Sequence, residues 1–140
     1  MRYLGGMDTM FVRAETRSML LHVSGVMVLD PRQINAEDPR EAVRDRIEGR
    51  LRDLPPLRWR LIEPPGGLGS LRWIEDPDFR VDQHVHLGTV AAPGRRADLE
   101  RFVASVAATP LDRHRPLWEM HILDGLADGS IAESQVTWPS

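Results

Sequence analysis

Asp82, His84 and His86 stand two residues apart in a stretch that also holds Val81, Val85 and Leu87. On a continuous strand this spacing points all three polar side chains to one face. Two imidazoles and a carboxylate are the donor set of a metal centre with open coordination positions. Three ligands in line on one strand, however, close poorly round an ion. A polar, solvent-facing strand surface accounts for the pattern better, so no metal ligand is assigned. Gln83, Val85 and Leu87 fall on the opposite face, and two of those three are apolar.

Arg113, His114 and Arg115 form a compact basic patch ahead of Pro116. Guanidinium groups hold carboxylates and phosphates bidentately, so the patch suits an anion, although a solvated loop accounts for it better. Gly66, Gly67 and Gly69 fit neither G-x-x-x-x-G-K-[ST] nor G-x-G-x-x-G, and without a lysine in the chain nothing of that kind reaches a phosphate. The serines, at positions 18, 24, 70, 105, 130, 134 and 140, include no G-x-S-x-G elbow. Ser105 falls inside an expected helix. The residue types alone therefore assign no catalytic side chain.

The elements that position these residues can be read from periodicity. Residues 7–14 carry Met7, Met10 and Phe11 at helical spacing and predict a short helix. Residues 20–29 predict a largely buried strand ending at Asp30-Pro31. Asp38-Pro39 is a helix start, with Asp as cap and Pro in the first turn. Val43, Ile47, Leu51 and Leu54 then recur on one face, giving a helix over 39–53 that stops at Pro55-Pro56. Strands are expected at 57–62 and 68–74 as a hairpin, and at 81–90. A second helix over 98–108 carries Leu99, Phe102, Val103 and Val106 on one face and stops at Pro110. A strand over 117–123 and a turn over 124–129 follow. The order β-α-β-β-β-α-β after the opening helix makes an α/β (α+β) fold with a mixed sheet and two main helices.

Composition bounds the function classes. Hydrophobic residues make up 41% and charged residues 28%, as in ordinary globular domains. The net charge of −3 excludes a strongly basic nucleic-acid binder, and no nucleic-acid partner is expected. All 18 basic residues are arginine. With no cysteine there is no disulfide, thiolate metal site or cysteine nucleophile. Residues 1–10 lack an apolar h-region, so no signal peptide is expected. The longest mostly apolar run, 19–29, is about half of the roughly 20 residues a membrane span needs.

Five segments then match one family in order. Leu4-Gly5-Gly6-Met7-Asp8-Thr9-Met10-Phe11, with Glu15 and His22-Val23-Ser24-Gly25, resembles its L-x-x-x-D-x-x-F start and following H-V-G strand. Pro56-Leu57-Arg58-Trp59-Arg60-Leu61 looks like its P-x-L-R-x-R-L segment. Trp73-Ile74-Glu75-Asp76-Pro77-Asp78-Phe79, with Asp82 and His84-Val85, resembles W-x-x-D-P-x-F-D-x-x-x-H-V. Pro110-Leu111-Asp112-Arg113-His114-Arg115-Pro116-Leu117-Trp118-Glu119 matches P-L-D-R-x-R-P-L-W-E and is the most specific. The chain thus resembles the N-terminal part of the wax ester synthase/diacylglycerol acyltransferase family.

That resemblance implies an incomplete N-terminal subdomain of a chloramphenicol acetyltransferase-like fold, in which two α/β subdomains flank a channel. It implies acyl-CoA as co-substrate, diacylglycerol or a long-chain alcohol as acceptor, and no resident cofactor or metal. The family's general base is the second histidine of H-H-x-x-x-D-G. His121-Ile122-Leu123-Asp124-Gly125 resembles that motif but has only two residues between His and Asp, and Met120 replaces the first histidine. His121 corresponds instead to the strand after P-L-W, and no catalytic role is transferred to it. Pro116, Leu117 and Trp118 are the family's structural motif here; substrate-binding residues are not assigned.

Residues 1–129 follow the family. From Ser130 the sequence departs from its G-R-x-A-L-x-x-K-x-H-H pattern, so 130–140 is set apart as a divergent tail of the kind a frameshift or premature stop leaves. The expectation is a truncated relative, inactive alone. The alternative is a non-catalytic module that docks a partner chain or a lipid surface. The expected location is the cytoplasm, with the periphery of a membrane or lipid droplet as the alternative.

Overall fold

The computed structural model describes residues 2–3, 23–63, 65–67 and 71–137. The helix expected at 7–14 lies outside the described residues. Asp38 caps the first helix, α1 (Pro39–Leu51), by accepting from the Arg40 backbone N–H at 3.0 Å. This helix stops short of residue 53 because a 3-10 turn, Pro55–Arg58, takes over at the two prolines. The second helix, α2 (Arg96–Ala107), begins earlier than the apolar stripe suggests. The Asp98 carboxylate accepts from the Arg95 backbone N–H at 2.9 Å and holds the first turn in place.

Among the described residues, seven strands form two sheets. β1 (Arg2–Tyr3), β4 (Arg72–Glu75) and β3 (Trp59–Ile62) make a small antiparallel sheet in the order β1-β4-β3, and the expected hairpin is its β3–β4 pair. The larger sheet runs β2 (Val23–Leu29), β7 (Ile131–Thr137), β6 (Trp118–Asp124), β5 (Val85–Thr89). β5 and β6 are parallel and the other pairs antiparallel, so the sheet is mixed, as the sequence predicts.

The helices cover opposite faces of this sheet. Val43, Ile47 and Leu51 of α1 pack on Val85, Trp118, Ile122 and Ile131. On the other side Leu99 and Phe102 of α2 pack on Val90, Leu123 and Ala132. Successive residues on a strand face opposite ways, so the complete burial of both Ile122 and Leu123 means that both faces of β6 are sealed. Each such side chain contributes about 1.5–3 kcal/mol by leaving water. A third cluster of Leu61, Leu71, Leu111, Leu117 and Val136 joins the small sheet to the large one.

Three expectations change. The stretch 81–90 is not one strand: Val81–Gln83 is a 3-10 turn, and only Val85–Thr89 is extended. The turn places the His84 ring against both Phe79 and Trp118, and His84 itself leaves the extended region with φ −121° and ψ −31°. The alternation is lost there, so Asp82, His84 and His86 do not share a face. The strand ending at residue 29 is not largely buried, since Val23, Val26, Met27 and Val28 are about half exposed. Among the described residues β2 is an outer strand with β7 as its one neighbour. Finally, residues 131–137 of the divergent tail form β7, inserted between β2 and β6, where the sequence predicts no strand.

The loop into α2 presses on the turn after β6. Gly94 has φ +76°, and a Cβ there would lie 1.9 Å from the Gly125 carbonyl oxygen. Only glycine fits both the backbone and the gap.

Candidate functional site

Pro116-Leu117-Trp118 lies where three of the sequence segments meet. Leu117 and Trp118 are buried. The Trp118 indole donates to the Leu57 carbonyl at 2.8 Å, which ties β6 to the 3-10 turn before β3. The Trp118 carbonyl is 2.8 Å from His84 Nδ1. A carbonyl only accepts, so Nδ1 carries the proton. The His84 ring stacks on Trp118 at 4.8 Å and on Phe79 at 5.2 Å. Burial pushes its pKa down, partly offset by the hydrogen bond to Trp118. His84 is therefore a neutral packing residue. Asp76 belongs to the same knot, its N–H donating to the Arg58 carbonyl at 2.8 Å and its carboxylate accepting from Asp78 N–H at 2.9 Å.

The α2-facing side of the sheet carries a second group that the sequence reading missed. Parallel pairing sets His86 of β5 beside His121 of β6, and antiparallel pairing sets Ser134 of β7 beside His121. The two imidazoles stack at 4.9 Å, and Phe102 of α2 meets His121 edge-on at 5.3 Å. Glu119, two residues before His121 and on the same face, reaches it at 3.7 Å, an ion-pair distance longer than a formed hydrogen bond. The His121 ring is the chief cause holding the Glu119 carboxylate below its ordinary value, against burial, which raises it. Donor atoms of His86, Glu119 and His121 all lie within 4.8 Å of one another. Two spacings of i, i+2, His84-x-His86 and Glu119-x-His121, are visible in the sequence. Which pair of residues meets is set by the register of two distant strands and by the turn at His84.

The other candidates resolve as follows. Asp82 lies in the 3-10 turn, exposed, 4.0 Å from Arg80. The basic patch is ringed by carboxylates: Arg113 reaches Glu63 at 3.6 Å, Arg115 reaches Asp112 at 3.6 Å, and the His114 backbone donates to Asp112 at 2.8 Å. An open cleft beside it, about 730 Å³, is lined by Arg60, Asp76, Asp78, His114 and Arg115, a mixed-charge surface. The Ser105 hydroxyl donates back to the Phe102 carbonyl at 2.7 Å inside α2. An apolar groove of about 720 Å³ runs between β2 and α2, lined by Val26, Val28, Leu99, Val103 and Leu126. Among the described residues no helix is long and apolar enough to cross a membrane.

Comparison with known proteins decides the family. The sequence model described as "Wax ester synthase/diacylglycerol acyltransferase catalytic domain" matches residues 4–133. The chain belongs to the wax ester synthase/diacylglycerol acyltransferase family. A putative diacylglycerol O-acyltransferase of Mycobacterium tuberculosis (strain H37Rv) is 34% identical over 132 residues, covering 94% of this chain and 28% of that protein. The wax ester synthase/diacylglycerol acyltransferase from Marinobacter aquaeolei VT8 superposes with a TM-score of 0.85 at 27% identity, covering 99% of this chain and 33% of its own. The starter condensation domain of rhizomide synthetase, solved in complex with C8-CoA, superposes with a TM-score of 0.70 at 15% identity and shares the fold. The chain thus spans about a third or less of these relatives. In this acyltransferase family frame, Leu57, Phe79, His84 and Trp118 come from three separate matching segments and pack into one knot.

Proposed function

We propose that the chain supplies the first part of the frame of an acyl-CoA-dependent O-acyltransferase and performs no transfer by itself. In the intact reaction the hydroxyl oxygen of diacylglycerol or a long-chain alcohol attacks the thioester carbonyl. The C–S bond breaks, CoA leaves as the thiol, and a base takes the hydroxyl proton. A histidine suits that step because its pKa lies near neutrality.

One observation carries the proposal. Aligning Gly129 and Ala132 with the family pattern G-R-x-A-L-x-x-K-x-H-H places its two histidines at positions 138 and 139, where this chain has Trp138 and Pro139. An indole only donates and a proline ring nitrogen does neither, so neither can accept the proton. β7, the strand that leads to those positions, is nevertheless in place at the centre of the sheet. The geometry of His121 agrees with this: it lies in β6 beneath Phe102 of α2, paired with Glu119.

The test is ester formation by the purified chain with palmitoyl-CoA and either hexadecanol or diolein, read as product by mass spectrometry and as released CoA thiol. No ester above the enzyme-free blank is expected. Turnover that disappears in His121→Ala would overturn the proposal by placing a working base within the chain.

A second reading, a module that docks a partner chain or a lipid surface, is favoured by the half-exposed Val23, Val26, Met27 and Val28 on β2. It predicts concentration-dependent association in size-exclusion chromatography or cosedimentation with phosphatidylcholine vesicles. A monomer that stays off vesicles at all concentrations counts against it.

A further inference from the structure

We infer that His86, Glu119 and His121 form a binding site for a divalent transition-metal ion. Two imidazoles and one carboxylate from two neighbouring strands present their donor atoms within 4.8 Å of one another. Ligands from two strands can converge on a point, as three in line on one strand cannot. A tetrahedral ion with bonds of about 2.0–2.1 Å needs donors roughly 3.3 Å apart. Closing the widest gap takes up to about 1.5 Å of relative side-chain movement, and His86 and Glu119 are only half-buried.

The unpartnered groups around this cluster point the same way. His121 Nε2 is buried and has no hydrogen-bond partner. Ser134, paired with His121 across the β6–β7 ladder, is 0% exposed, and its hydroxyl is also unpartnered. A buried polar group left unpaired costs stability. Apolar residues would fill the space under α2 without that penalty, and Phe102, Leu123 and Ala132 do so a few ångströms away. A bound cation gives the His121 lone pair an acceptor and leaves the fourth position to water or to the Ser134 hydroxyl. The stacking of the two imidazoles beside Glu119 leaves His121 Nε2 without a hydrogen bond.

The donor set selects the metal. Imidazole with carboxylate suits zinc, cobalt, nickel and copper, whereas magnesium and calcium prefer oxygen throughout. Placed here, the ion would fasten β5 to β6 beneath α2, a structural role that leaves the acyltransferase reading untouched.

The experiment uses the whole 140-residue chain, treated with chelator and then titrated with Zn²⁺ by calorimetry and with Co²⁺ by visible absorption. Expected are one ion per chain, an intense Co²⁺ d–d band of the tetrahedral kind, and a rise in Tm with Zn²⁺. His86→Gln and Glu119→Gln should each weaken binding by more than the roughly 10–100-fold that outer-shell changes cost. The exposed His114→Gln should leave binding unchanged. The inference is overturned if the wild-type Co²⁺ spectrum matches that of the hydrated ion in buffer, a result that needs no variant to fold. It is equally overturned if His114→Gln abolishes binding while His86→Gln does not. Ester formation is not read in any arm, so failure here and failure of the acyltransferase reading are separable.

Discussion

Glu133→Leu should stabilise the protein. Glu133 sits on β7 between Met27 of β2 and Ile122 of β6, on the side of the sheet that α1 covers. It lines a cleft with Leu29, Val43 and Ile47, and among the described residues it makes no hydrogen bond or ion pair, although Arg46 and Arg50 line the same cleft. Burial alone pushes its pKa up. Full burial of a leucine contributes about 1.5–3 kcal/mol, and this site is half-buried, so the apolar gain is about 1 kcal/mol. Removing a poorly solvated carboxylate adds to it. For a chain of this size a total of about 1–2 kcal/mol raises Tm by about 3–6 °C. Glu133→Gln isolates the charge. The folded pKa lies above the unfolded one, so both states hold the proton at low pH and the wild type suffers no penalty there. As pH rises through the unfolded value toward the folded value, the unfolded state releases its proton first and stability falls; above the folded value the loss stays constant. The advantage of Glu133→Gln should therefore be smallest at low pH and grow as pH rises above the ordinary carboxylate range in urea unfolding. A Gln variant less stable than wild type at pH 7 would refute the reasoning, because it would mean that Glu133 is paired.

His84 gives the opposite pH response. Its folded pKa lies below the unfolded one, so the stability it contributes is present at pH 7 and is lost as pH falls below about 6.5, by at most about 1.4 kcal/mol per pH unit; the urea midpoint at pH 5.5 against pH 7 measures it, and His84→Gln should flatten the difference while lowering both values. Gly94→Ala should destabilise by about 3 kcal/mol or more, since its Cβ would meet the Gly125 carbonyl at 1.9 Å in addition to the strain of a positive φ. Gly129→Ala, with φ +82° but nothing within 4 Å, should cost only about 1 kcal/mol, and equal losses in the two would refute the close-approach argument.

What the sequence disclosed was local. The cap at Asp38-Pro39 and the stripe of Val43, Ile47 and Leu51 depend on neighbours in the chain, and α1 formed where they indicate. The hairpin of β3 and β4 likewise follows from adjacent segments. β7 was hidden because Glu133, Ser134 and Gln135 carry no strand signature; what makes them a strand is the room between β2 and β6. The exposure of Val26 and Met27 was hidden for the related reason that an apolar run looks the same in an outer strand and in a buried one. The meeting of His86 with Glu119 and His121 needs a non-local register, and the turn at His84 breaks the alternation that lines up Asp82, His84 and His86. Leu117 and Trp118 are buried, and Trp118 bonds to the Leu57 carbonyl, contacts in keeping with their large apolar side chains.

The position of β7 also governs how the chain can be made. Leu29 pairs with Ile131, so β2 leaves the ribosome long before its partner exists, and β6 too waits for β7 on one side. At synthesis rates of about 5–20 residues per second, an apolar strand that emerges early stays unpaired for several seconds. Contacts between residues so far apart in sequence are also slow to close once the chain is complete. Val23, Val26, Met27 and Val28 of the nascent chain thus stay without a strand partner until β7 arrives beside them.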